Sequence, residues 1–250
     1  MATATVPGNP VKTSSSLPGR RFDHVFFSTM AALILVTVFV GFAHTYYLAG
    51  LVRAPLPSLI IHFHAIAFSS WILLLITQTS LVAAGRVDIH RRLGIAGFIL
   101  ACAMVILGVM AATDSLVREA GPPGRDVKFF YVIPMSAILM FGTLMVFAYR
   151  NRSNPPAHKR LILIATIELL VAAIARWPFS MVYKHAAVAT RFSYLFLLAL
   201  VAYDLWSTRR VHRATLWAGA FLVFMSQARF LIGQTAAWHS FAGWVQQIAR

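Results

Sequence analysis

Residues 58–84, SLIIHFHAIAFSSWILLLITQTSLVAA, contain no Asp, Glu, Lys or Arg. As a helix rising about 1.5 Å per residue, this segment is long enough to cross the roughly 30 Å hydrocarbon core of a bilayer. Similar apolar stretches recur along nearly the whole chain after Phe22, and 59% of all residues are hydrophobic while only 12% are charged. Such a composition excludes a soluble globular domain. The sequence therefore predicts an all-α, polytopic integral membrane protein.

Seven transmembrane helices are predicted, followed by a short C-terminal interfacial helix in which Trp238, Phe241 and Trp244 favour the headgroup region. Residues 1–21 are rich in Pro, Ser, Thr and Gly and predict a disordered cytoplasmic tail with no signal-peptide core. Residues 22–250 are expected to form a single transmembrane domain. The predicted spans are 24–49, 58–84, 94–114, 129–149, 160–182, 191–207 and 214–235, and the interfacial helix covers 237–249.

Basic residues are concentrated in alternate loops, which predicts a cytoplasmic N-terminus and a C-terminus outside. The formal net charge of +15 is spread over these loops. This distribution favours contact with anionic lipid headgroups and argues against a nucleic-acid partner. The basic segments hold Lys12, Arg20 and Arg21; Arg86, Arg91 and Arg92; Arg150, Arg152, Lys159 and Arg160; and Arg209, Arg210 and Arg213.

Four histidines, His24, His90, His158 and His212, are predicted at the cytoplasmic mouths of the odd-numbered helices. Imidazole, Lys and Arg at such a position anchor a helix among lipid phosphates. A ligand-binding or proton-entry role is the alternative.

A second polar layer is predicted near the outer boundary, where counting along each helix brings His, Arg or Asp from five of the seven helices or their ends to a similar depth. Neutral imidazole suits heme iron, copper and zinc. The layer therefore predicts either heme b or a transition metal (copper, iron or zinc), with interfacial polar residues as the alternative. The candidate metal ligands are His44, His62, His64, Asp114 and His239.

His62 and His64 lie two residues apart, which is about 200° around a helix, so they cannot both ligate one metal from an unbroken helix. We expect His64 to face the bundle, because Trp71 and Gln78 continue its face. His62 is then a hydrogen-bond partner of a neighbour or an interface residue. Trp71 and Gln78 carry polar groups that need partners inside a bundle, and they are candidate cofactor-binding residues.

Arg176, Arg229 and Glu168 are the other intramembrane candidates. Arg176 lies close to a helix end, where its side chain can snorkel to the headgroups, and it is also a candidate for cofactor binding. Arg229 follows Ser226 and Gln227 on a polar helix face, and would bind a carboxylate, a heme propionate, a quinone carbonyl or a lipid phosphate. Glu168 is expected near mid-membrane with no Lys or Arg at its depth, as a neutral acid in a proton relay or a structural hydrogen bond.

Several chemistries are excluded by residue counts and positions. Cys102 is the single cysteine, which leaves no disulfide, no covalent heme attachment and no thiolate metal site. The four lysines, at positions 12, 128, 159 and 184, lie in the tail or in loops. A retinal Schiff base midway along the seventh helix is therefore excluded as well.

The segments HFHAIAFSSWILLLITQTSLVAAGRVDIHRRLG (62–94) and NPPAHKRLILIATIELLVAAIAR (154–176) resemble a group of uncharacterised bacterial seven-helix inner-membrane proteins. More loosely, the helix-mouth histidines are similar to those of transmembrane b-type cytochromes and heme-copper oxidase assembly proteins. The resemblance implies a bacterial origin and a redox setting, and assigns no role to any residue.

Three functions are compatible with these patterns. The first is a heme- or metal-binding redox or electron-transfer membrane protein. The second is a zinc-dependent membrane hydrolase built on the outer histidines and Asp114. The third is a non-enzymatic assembly or structural subunit that binds lipid or a larger membrane complex. Whether the protein is an enzyme stays open at this point.

Overall fold

The structure, a computed structural model, describes residues 18–51, 58–121, 124–179 and 186–250. All regular secondary structure within these ranges is helical. The helices are α1 (Pro18–Phe42), which continues into a π-helical turn (Ala43–Tyr47), α2 (Leu59–Ala83), α3 (Val87–Val117), α4 (Val127–Arg150), α5 (Pro155–Ile174), α6 (Ala186–Thr208), α7 (Arg213–Gly233) and α8 (Ala236–Ile248).

Among the described residues, six helices are long and apolar enough to cross a membrane: α1 with its π-helical turn, α2, α3, α4, α6 and α7. This confirms the predicted class, an all-α membrane protein. The predicted number of seven spans is matched only in part. The fifth helix, α5, carries Lys159, Arg160 and Glu168 within its 20 residues and is too polar to belong to this group of six.

The helix bounds differ most from the predicted spans at three places. The third helix begins at Val87, whereas its predicted span begins at 94. The fifth covers Pro155–Ile174 and not 160–182, because two prolines suit its first turn and Pro178 disfavours helix at the preceding residue. Residues 1–17 of the predicted tail lie outside the described residues, and α1 already begins at Pro18.

The most buried helix, α5, lies at the centre of the bundle. It packs against α1, α4, α6 and α7, and 13 of its 20 residues are buried. Gly41 of α1 lies so close to the backbone of Ala173 in α5 that a Cβ atom at this position would collide with the Ala173 carbonyl group. The glycine is therefore what allows the two helices to touch. This arrangement places the polar side chains of α5 in the interior of the protein.

The two ends of the bundle differ in composition. We call the end where α1, α3, α5 and α7 begin the basic end. Lys159 of α5 pairs there with Asp23 of α1 at 2.6 Å. We call the opposite end the α8 end, because α8 lies across α3 and α4 there. Trp238 of α8 donates its indole N–H to the Lys128 carbonyl at 2.8 Å. In α8, Ala242 and Gln246 are buried while Phe241, Trp244 and Ile248 are exposed, as expected for an amphipathic helix.

Candidate functional site

A buried ion pair joins α5 to α7 in the interior. Arg229 donates from Nη1 to Glu168 Oε1 at 2.8 Å and from Nη2 to Thr190 Oγ1 of α6 at 3.0 Å. The hydroxyl of Ser226 lies 3.4 Å from Glu168 Oε2. Both charged side chains are almost completely buried, at 1% and 0% exposed. We call the Glu168–Arg229 ion pair, together with Thr190 and Ser226, the core pair. It connects three helices through charge-assisted hydrogen bonds.

The core pair shows that one expectation was wrong, namely that Glu168 has no cation at its depth. Glu168 lies about 20 Å along α5 from Pro155, and Arg229 about 24 Å along α7 from Arg213. Helical side chains tilt toward the N-terminus of their helix. The Arg229 side chain therefore extends back toward mid-membrane and reaches Glu168 despite the difference in height between the two Cα atoms. Counting Cα positions alone placed the two residues in separate layers.

A second buried ion pair lies nearer the basic end. Arg160 of α5 donates from both Nε and Nη2 to Asp204 Oδ1 of α6, with an Nε to Oδ1 distance of 2.9 Å. Asp204 Oδ2 accepts from Thr215 Oγ1 at 2.6 Å and from the His212 backbone N–H at 3.0 Å. Asp204 is fully buried. This basic-end pair ties the start of α5 to the end of α6 and the start of α7.

Sequence reasoning missed Asp204, although a signal was present. The segment VAYDLW places an acid near the end of an otherwise apolar span. An acid at such a position needs a cation or a hydrogen-bond donor. Arg160 was counted only as a topology signal, yet it is 4% exposed and is the ion-pair partner of Asp204.

An apolar layer separates the two pairs. Ile164 of α5, Leu200 of α6 and Leu222 of α7 lie between them along their helices, and all three are fully buried in the hydrophobic core. Leucine and isoleucine side chains cannot carry protons. The two polar clusters are therefore separate: among the described residues, no hydrogen bond joins one to the other.

The predicted outer metal layer is not assembled. Within the described ranges, no three His, Cys, Asp or Glu side chains lie close enough together to hold a metal ion. Four of the five candidate ligands are exposed or have other partners. His44 is exposed, and His62 Nδ1 lies 3.0 Å from the Tyr46 hydroxyl. Asp114 pairs with Arg118 at 2.6 Å and accepts from Ser58, and His239 Nε2 lies 3.0 Å from the Gly233 carbonyl.

His64 is the remaining member of the predicted metal set. Its ring stacks on Phe68 with the ring centroids 4.1 Å apart. Its Nδ1 atom is buried, and no hydrogen-bond partner for it lies in the described part of the chain. The His64 ring is half-buried in the bundle, whereas His62 forms a hydrogen bond with the Tyr46 side chain. Depth alone places both histidines in one layer, but His64 stacks on Phe68 and His62 contacts Tyr46.

The candidate cofactor-binding residues also contact different parts of the protein. Trp71 donates its indole N–H to Thr166 of α5 at 3.2 Å, and Gln78 donates to the His90 carbonyl at 3.2 Å. Arg176 donates to the Ala172 carbonyl at 2.7 Å. Arg229 belongs to the core pair. Each of these four residues therefore has a different hydrogen-bond partner in the described part of the chain.

Two of the four helix-mouth histidines have structural contacts at the basic end. His158 Nδ1 lies 2.8 Å from the Ala148 carbonyl, which ties α5 to α4. His212 caps α7, since its Nδ1 accepts the Ala214 backbone N–H at 3.1 Å. Beside His212, an open cleft of about 430 Å³ lies between the α4–α5 turn and the start of α7.

Comparison of the chain with protein-family models, with curated proteins and with solved structures finds no match.

Proposed function

We propose that the chain is a multi-pass protein of the bacterial inner membrane, with α1 to α7 crossing the bilayer and α8 lying at its outer surface. The ion pairs of α5 support the inclusion of this helix, because a charged helix can cross the membrane when its charges are paired inside the bundle. At about 30 Å, its 20 residues also match the hydrocarbon thickness. The concentration of Lys and Arg at the basic end supports a cytoplasmic location for that end and for the N-terminus.

Within this architecture we propose a non-catalytic role, as an assembly or anchoring subunit that binds lipid or a membrane complex. The observation that carries the proposal is that the buried charged side chains are paired with one another. Glu168, Arg229, Arg160 and Asp204 form two pairs that tie α5 to α6 and α7. Such pairs hold helices in one arrangement, whereas a relay or a reaction centre needs a charged group with access to a proton source or a substrate.

The test of this role is proton flux together with an absorption spectrum. Purified protein is reconstituted into vesicles that contain a pH-sensitive dye, with a Glu168→Gln variant and protein-free vesicles as controls. We expect the same passive proton leak in all three, because the apolar layer interrupts any path through the core. Proton flux that requires the wild-type protein and disappears in Glu168→Gln would replace the structural role with a relay.

One observation favours a redox protein as the second candidate. The buried Nδ1 of His64 lacks a hydrogen-bond partner among the described residues, and an imidazole nitrogen of this kind can ligate heme iron or a copper or zinc ion. His62, two residues away and bonded to Tyr46, is the matched control. If this candidate is right, purified protein shows a Soret band or stoichiometric metal that is lost in His64→Ala and kept in His62→Ala. The non-catalytic role predicts neither.

A further inference from the structure

The cleft of about 430 Å³ at the basic end has a polar rim and an apolar floor. Asn151 and Asn154 of the α4–α5 turn form one side of the rim, and His212 and Arg213 form the other. The apolar lining consists of Ala157, Leu161 and Ala214, which are buried at its floor, and of Trp217, which is 40% exposed. The volume lies in the range of small-molecule and headgroup sites. The cleft is separate from the core pair that carries the proposed function.

The tautomer of His212 decides what this ring offers to the cleft. Its Nδ1 accepts the Ala214 backbone N–H at 3.1 Å, so in the neutral ring the proton is on Nε2. Burial, together with the positive charge of Arg160, holds the pKa of His212 below its usual range. The ring is therefore neutral at physiological pH. It presents one N–H donor and no free lone pair to a ligand in the cleft.

The charges around the cleft favour an anion. Arg213 is exposed on the rim, and no carboxylate of the described chain forms an ion pair with it. Asp204, whose carboxylate contacts the His212 backbone, is fully buried and already accepts from Arg160, Thr215 and that backbone N–H. The lining contains no Asp or Glu. An anionic ligand in the cleft would thus meet a guanidinium and an imidazole N–H, and no carboxylate in the lining would repel it.

We infer that this cleft binds a phosphate group, with Arg213 and the His212 Nε2–H as donors and the rest of the ligand packed on Trp217. Arginine matches phosphate oxygens in geometry as well as in charge. The apolar floor suits a ligand that carries hydrocarbon. The phosphate can belong to an anionic phospholipid of the surrounding leaflet or to a soluble phosphate compound.

Calorimetric titration of the full-length protein in mild detergent tests the inference with two probes, a short-chain phosphatidylglycerol and inorganic phosphate. Three variants are compared with wild type. Arg213→Gln removes the guanidinium. His212→Ser keeps a good N-cap for α7 but removes the imidazole donor. Arg92→Gln removes an exposed arginine from the same end of the bundle, away from the lining, and is the matched control.

We expect Arg213→Gln to weaken binding about tenfold or more, His212→Ser to weaken it several-fold, and Arg92→Gln to leave it unchanged. Binding of both probes, with phosphate displacing the lipid, identifies a soluble phosphate compound as the ligand class. Binding of phosphatidylglycerol alone identifies the lipid. No binding of either probe to wild type, or equal weakening in all three variants, would overturn the inference. The proton-flux experiment compares wild type with Glu168→Gln and does not involve Arg213 or His212. The proposed function and the phosphate site can therefore fail separately.

Discussion

Removal of one partner from the core pair is expected to produce an asymmetric loss of stability. In Glu168→Leu, the Arg229 guanidinium stays buried with Thr190 as its remaining partner in the cluster. An arginine side chain cannot lose its charge at accessible pH. Leaving such a charge unpaired in the interior typically lowers the free energy of unfolding by about 3–5 kcal/mol.

The converse variant, Arg229→Met, leaves Glu168 with the Ser226 hydroxyl. A carboxylic acid can take up a proton and so avoid an unpaired charge, which guanidinium cannot do. We therefore expect a smaller loss, about 2–3 kcal/mol, arising from the proton uptake and the lost hydrogen bonds. The double variant, Glu168→Leu with Arg229→Met, contains no buried charge and should be more stable than Glu168→Leu alone.

The free energy of unfolding of the four proteins can be measured by titration with a denaturing detergent in mixed micelles, with helix content followed by circular dichroism. The four values form a double-mutant cycle. A coupling energy of at least about 2 kcal/mol supports an ion pair that stabilises the fold. Additive losses would refute the pairing, and a larger loss for Arg229→Met than for Glu168→Leu would refute the argument from proton uptake.

Three further changes test other parts of the structure. Gly41→Val should push α1 away from α5 and lower the melting temperature. In Gly142→Ala the new Cβ would meet the nearest side chain at 3.4 Å, so this variant should have little effect. Equal shifts in melting temperature would contradict the close approach of α1 to α5. Asp204→Asn leaves Arg160 without its carboxylate and should lower the free energy of unfolding by about 2–4 kcal/mol in the same detergent titration. A periplasmic reporter enzyme fused after Arg250 should be active and one fused after Asn154 silent; the opposite pattern would invert the proposed topology.

The sequence predicts helices well where a segment is uniformly apolar. Residues 58–84 were predicted as one span, and α2 covers Leu59–Ala83. The bounds are less accurate where a helix extends beyond its apolar stretch. In α3, Arg91 and Arg92 belong to the helix although they precede the predicted span. Hydrophobicity reports where the membrane begins, and a helix can continue past that point because its backbone hydrogen bonds do not depend on lipid.

The polar clusters were harder to predict because sequence gives the depth of a residue but not the identity of its neighbours. Depth alone places His44, His62, His64 and His239 in one layer. In the structure His62 contacts Tyr46, His64 contacts Phe68 and His239 contacts the Gly233 carbonyl. The angular order of the helices decides which residues meet. In a membrane helix this order has a weak sequence signal, because the lipid-facing side and the buried side are both apolar.

The central position of α5 accounts for both ion pairs. A helix that lies against lipid would expose Arg160 and Glu168 to hydrocarbon at a cost of several kcal/mol each. Surrounded by α1, α4, α6 and α7, the same residues meet Asp204 and Arg229. The charges of Arg160 and Glu168 thus favour the burial of α5, because the interior offers them partners of opposite sign. Outside this paired interior, the cleft beside Arg213 brings an exposed arginine, with no ion-pair partner among the described residues, to the edge of a cavity.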